Sequence, residues 1–114
     1  MPIVQQSSRV DHSDSLYLVV EATDLNRSDV IVPNGAVWEI TRFVGAASYL
    51  DDTSACLLWD PDGVNTVVSC THGDANVSPQ FSVTGDGVKV LRIELSNDTN
   101  TPRVMGCRWE AREV

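Results

Sequence analysis

His12, His72, Cys56, Cys70, Cys107 and a scatter of carboxylates are the side chains of this 114-residue chain whose types could do covalent or metal chemistry. A nucleophile and its base must lie within hydrogen-bond reach of each other, with the base held by a third group. His12 falls in a polar segment and His72 in the loop Thr71-His72-Gly73-Asp74. No GxSxG, HExxH or glycine-rich phosphate loop surrounds either one, so both read as surface or turn histidines. The cysteines form no CxxC pair, which argues against a zinc or redox motif. They read as reduced thiols in or beside a core, with a single disulfide left open.

The acidic clusters are Asp51-Asp52 and Asp60-Pro61-Asp62-Gly63. Calcium takes about six to eight oxygen ligands, with glycine and a closing glutamate at fixed places in its best-known loop. Here the glycine is misplaced and no glutamate closes the segment; Pro and Gly at these positions are what a tight hairpin turn needs. Two carboxylates flanking a sugar could hydrolyse it, but aromatics are only 6% of the chain, too few to line a cleft. Trp38, Trp59 and Trp109 could instead form a sugar platform. Trp38 alternates with Ile40, and Trp109 with Met105, which places both in a core. Trp59 closes Ala55 to Trp59, a segment apolar on both sides, as is Leu16 to Val20. Such a strand is either central and covered, or presents an apolar patch to a partner. The sequence therefore predicts no catalytic residue, no cofactor and no metal.

The elements that must position these residues are strands. Apolar stripes at helical spacing are almost absent, while Val, Thr, Ile and aromatic runs lie between Gly, Pro, Asn and Asp. Strands are predicted at 16–22, 29–32, 36–44, 55–59, 64–70, 81–84, 88–95 and 103–113. In 36–44 one face carries Trp38, Ile40 and Val44, the other Val37, Glu39, Thr41 and Phe43. In 88–95 Leu91, Ile93 and Leu95 share a face; in 103–113 Met105, Cys107, Trp109 and Ala111 do. Segments 55–59 and 64–70 form a hairpin, and 71–80 and 96–102 are polar loops. About eight strands with these turn signals predict an all-β, two-layer antiparallel sandwich of jelly-roll type, with an immunoglobulin-like order as the alternative. Residues 1–14 read as an N-terminal arm, and 15–114 as a single sandwich domain.

Charge narrows the partners. Sixteen acidic residues against eight basic ones give a net charge of −8, and Lys89 is the sole lysine. Nucleic-acid and anionic-membrane binding depend on basic clusters, so neither partner is expected. No apolar run approaches the roughly 20 residues of a spanning helix, and the first residues lack a secretory signal pattern.

The stretch VPNGAVWEITRF, residues 32–43, and the closing segments GDGVKVLRIELSN and MGCRWEAREV resemble small jelly-roll virion proteins of tailed bacteriophages. The resemblance rests on these 35 of the 114 residues and concerns packing, so no catalytic residue follows from it. It implies a head decoration (cement) or tail-associated subunit, made in the host cytoplasm and carried on the outer surface of the virion. It would bind other protein subunits, the major capsid protein or copies of itself as a homo-oligomer. The residues expected at such contacts are Ile3, Val4 and Val10, the aliphatic anchors of the arm, and Trp59. The alternative is a carbohydrate- or receptor-binding module that uses loops 71–80 and 96–102.

Overall fold

An extended segment can bury one side and wet the other only when its apolar residues alternate. The computed structural model describes residues 9–47, 52–61, 65–70 and 73–114. The strands are β1 (His12–Val20), β2 (Asp24–Ile31), β3 (Val37–Ala47), β4 (Thr53–Trp59), β5 (Asn65–Cys70), β6 (Gly73–Val77), β7 (Phe81–Thr84), β8 (Val90–Asn97) and β9 (Arg103–Glu113). They form two antiparallel sheets. The first runs β1-β9-β3-β6, with β7 also paired to β3; the second runs β2-β8-β4-β5.

The pairing has a simple logic. β1 pairs with β9, β2 with β8, β3 with β6 and β7, and β4 with β5. The chain is thus one long hairpin rolled up on itself, which is the jelly roll. In the immunoglobulin-like order the first two strands share a sheet; here β1 and β2 lie in different sheets.

The core fills the space between the layers. Trp38, Ile40 and Phe43 of β3 and Met105, Trp109 and Ala111 of β9 meet Leu57 of β4 and Leu91, Ile93 and Leu95 of β8. The predicted core set Trp38, Ile40, Leu91, Ile93, Leu95, Met105 and Trp109 is buried throughout. Trp38 and Trp109 stand 6.1 Å apart at a tilt of 34°, a separation at which aromatic rings attract.

Beyond the earlier starts of β2 at Asp24 and β4 at Thr53, three features differ from the sequence reading. First, β3 contains a bulge. Its register on β9 runs Ile40↔Ala111, then Arg42↔Glu110 and Phe43↔Trp109, so Thr41 is the extra residue. A bulge resets the alternation. Phe43 therefore joins Ile40 in the core and Val44 turns outward, the reverse of the expected faces. Thr41 Oγ1 donates to the Glu110 carbonyl at 3.3 Å, and the Thr41 carbonyl accepts from Ser78 Oγ at 2.8 Å. Second, β6 occupies part of the expected loop 71–80. Gly, Asp, Ala and Asn have little intrinsic strand preference, and pairing with β3 overrides it. Third, β1 starts at His12, so residues 12–14 of the expected arm belong to the sandwich.

A buried amide closes one corner. Asn97 is fully buried. Its Nδ2 donates to the carbonyls of Val20 (3.0 Å), Glu21 (3.2 Å) and Thr101 (2.9 Å), while Oδ1 accepts from Thr99 N and Oγ1. The turn from β1 to β2 is thereby pinned to the loop from β8 to β9. Sequence alone predicts a polar loop over 96–102, because Asn in a polar run signals turns far more often than buried clamps.

Candidate functional site

The outer faces of the two sheets differ. On the second sheet charges pair across strands. Arg92 grips Asp29 with two bonds of 2.7 and 2.9 Å, and Arg27 Nε reaches Glu94 at 3.0 Å. The Arg92 bonds hold the Asp29 carboxyl below the usual carboxylate range. On the first sheet the register builds rows across β1, β9 and β3. Arg112 and Glu39 pair at 3.1 Å at one end. Next comes Ser13, Glu110 and Arg42, then Ser15, Arg108 and Val44, then Tyr17, Gly106 and Ala46, and finally Val19 and Val104. The face thus passes from ion pairs to apolar surface along its length.

Tyr17 defines the apolar end. It is 77% exposed and Val19 is 50% exposed. The ring lies against Gly106, where a Cβ would come within 2.5 Å of Tyr17 Cδ2. Only glycine leaves room for an aromatic ring to lie flat on the neighbouring strand. Ser15, Tyr17, Val44, Ala46, Gly106 and Arg108 line a shallow groove of about 310 Å³ here. An adjoining depression of about 260 Å³ lies between Arg42, Val44, Arg108 and Glu110. Arg108 Nη2 donates to Glu110 Oε2 at 2.8 Å, and Arg42 Nε donates to Asn76 Oδ1 at 3.2 Å. Two guanidinium groups and one carboxylate therefore rim an apolar floor.

A second cluster joins the start of β1 to the end of β9. The His12 ring stacks on Trp38, with centroids 3.8 Å apart and planes 16° from parallel. His12 Nε2 and Trp38 Nε1 both reach Glu113 Oε1, at 3.2 and 3.3 Å; a carboxylate can only accept, so each nitrogen is the donor. Asp11 accepts the Glu113 backbone N–H at 2.7 Å and also pairs with Arg9, and these contacts hold its carboxyl below the usual range, the backbone bond most of all. Arg9 Nη2 donates to the Glu113 carbonyl at 2.6 Å. Arg9, Asp11, His12, Trp38 and Glu113 each bond to another member of this cluster, so it reads as a latch on the fold.

The residues singled out from sequence fall as follows. Ile3, Val4 and His72 lie outside the described residues, as do Asp51 and Asp62. Val10 is exposed beside the latch. Trp59 is packed in the core at 8% exposure, so its indole is held inside and not presented to a partner. The two segments that are apolar on both sides resolve differently. In β4 the outward Cys56 and Leu58 are half-covered, whereas in β1 the outward Tyr17 and Val19 stand in solvent. Tyr17 is the residue that sequence reasoning missed. Its signal was the unbroken apolar run LYLVV; its partner Gly106 becomes visible only through the β1–β9 register. All three cysteines are free thiols. Burial, and to a lesser degree Glu94, pushes Cys56 up to about 11; burial, then the neighbouring thiols and Asp14, pushes Cys107 up to about 12. Neither offers a thiolate nucleophile near neutrality. Among the described residues no three His, Cys, Asp or Glu side chains converge on one point. No protein-family model matches the chain, and no curated protein matches it significantly.

Proposed function

We propose that the chain is a non-catalytic subunit of a larger protein assembly, of the bacteriophage head decoration (cement) type. It would bind neighbouring shell subunits or copies of itself through its surface. The observation that carries this reading is the outer face of the first sheet, where Tyr17 and Val19 stand exposed on an otherwise regular sandwich. Apolar side chains clustered on a flat sheet commonly mark protein contacts. The jelly-roll order and the acidic surface agree with an external shell position, and the resemblance of residues 32–43 to phage virion proteins supplies the specific class. The test is gradient sedimentation of a lysate from cells producing the chain. It should travel with particles far heavier than its 12.4 kDa, and a Tyr17→Lys variant should shift to the top of the gradient. Recovery of the unaltered chain only at the top would overturn the proposal.

A second reading has one observation in its favour. An exposed tyrosine sharing its groove with Arg108, with Arg42 and Glu110 in the adjoining depression, is also the chemistry that holds a sugar ring, through stacking and hydroxyl contacts. A glycan array separates the two readings, since a shell subunit should bind no glycan there.

A further inference from the structure

Every open sheet ends in two edge strands, and each edge exposes backbone donors and acceptors that can pair with another chain. Three of the four edges here are guarded. β6 and β7 are interrupted by Ser78-Pro79-Gln80, and proline cannot donate to a ladder. β2 carries Asp24, Arg27 and Asp29. β5 is short, and its pairing with β4 shifts register. β1 is different. It is a nine-residue strand with regular register, no proline and no lysine, and among the described residues it pairs only with β9. Its first half holds the half-buried Asp14, bonded to Ser28 Oγ at 2.6 Å. Its second half, Leu16 to Val20, is wholly apolar.

We infer that the edge of β1 pairs with β1 of a second copy of this chain, antiparallel about a two-fold axis at Leu18. The inference rests on the reading of the chain as an assembly subunit and deepens it by naming the partner. The register follows from the side chains. An axis at Leu18 sets Tyr17 against Val19 of the other copy and Leu16 against Val20, so each apolar residue meets an apolar residue on its own face. Aromatic and β-branched side chains directly opposite each other are favourable cross-strand pairs. An axis at Leu16 would instead set Asp14 against Leu18. Charge selects the same place. Two copies that each carry −8 repel, and Leu16 to Val20 is a stretch where neither presents a carboxylate. Just beyond it, Glu21 of one copy falls opposite Ser15 of the other, in the row that holds Arg108. Pairing would join two first sheets into one and merge the two Tyr17 patches into a continuous face.

Analytical ultracentrifugation of the full chain tests this. The unaltered chain should shift from one-chain to two-chain mass as concentration rises. The shift should strengthen with added salt, because salt screens the like net charges. Val19→Lys should stay at one-chain mass with an unchanged far-UV spectrum. Val88→Lys, a control at a site 76% exposed elsewhere, should behave as the unaltered chain. The register is read by mixing Tyr17→Cys with Val19→Cys under mild oxidation, with the unaltered chain as background. The mixture should give a cross-linked pair in higher yield than either variant alone. One-chain mass at every concentration, or a two-chain species that Val19→Lys leaves intact, would overturn the inference. A chain that sediments with large particles yet never self-pairs overturns this inference alone. A chain that pairs but never joins particles overturns the assembly reading alone.

Discussion

At the scale of single residues, two positions carry more than their sequence context suggests. Gly106 keeps Tyr17 flat on the sheet, so the shape of the outer groove depends on a missing side chain. Asn97 does the opposite and fills a buried corner with polar bonds. Two amide hydrogens serve three carbonyls, and the side-chain oxygen takes two more bonds. Removing one side of a buried network costs more than its hydrogen bonds are worth, because the abandoned partners lose water as well. We expect Asn97→Leu to lower the unfolding free energy by about 2–4 kcal/mol, measured by urea titration. A change within error would mean that water reaches the carbonyls of Val20, Glu21 and Thr101 and satisfies them.

At the scale of elements, the bulge in β3 decides which side chains reach the core. Thr41 is an additional residue, and the alternation on either side is intact: Ile40 inward, then Arg42 outward and Phe43 inward. Deleting Thr41 should therefore leave a regular strand with every other side chain on its native face. The variant should fold cooperatively and lose about 1–3 kcal/mol with the hydrogen bonds of Thr41 to Glu110 and Ser78. Deleting Glu39 instead turns the residues on one side of the gap over, and should abolish the cooperative transition in near-UV circular dichroism. If both deletions behave alike, the bulge does not set the register. The bulge also explains what was legible beforehand. In β8 burial alternates over all eight residues, and in β9 Met105, Cys107, Trp109 and Ala111 hold every second place inward, so both inward faces are readable from sequence. In β3 alternation alone put Phe43 on the wrong side, because the extra residue leaves no mark in composition. Strand β6 was invisible for a related reason, since its pairing comes from β3 and not from its own residues. The groove around Tyr17 needed both the β1–β9 register and the identity of residue 106, two facts far apart in the chain.

At the scale of the whole molecule, the segment leading into β1 meets the end of β9. Arg9, Asp11 and His12 bind the last residues of β9, and the His12–Trp38 stack covers one end of the core. The expected arm thus divides into two parts with different physics. Residues 9–14 are tied into the sandwich by side-chain and backbone bonds. Residues 1–8 hold the aliphatic anchors Ile3 and Val4 and are the part expected to reach a neighbouring subunit. Ordering an extended segment costs roughly 1–2 kcal/mol of backbone entropy per residue. Two aliphatic side chains return only about 1.5–3 kcal/mol each on full burial, so contact there also requires backbone pairing with a neighbour. Two truncations separate the parts. Removing residues 1–8 should leave the melting temperature within about a degree or two, because every latch contact survives. Removing residues 1–12 should lower it by several degrees, since Trp38 and Glu113 then lose His12, and the backbone groups at the end of β9 lose Arg9 and Asp11. Incorporation into particles should fall sharply already with the shorter truncation. If the chain lacking residues 1–8 sediments with particles as completely as the full chain, the arm makes no assembly contact, and association depends on the sheet face and the edge of β1 alone.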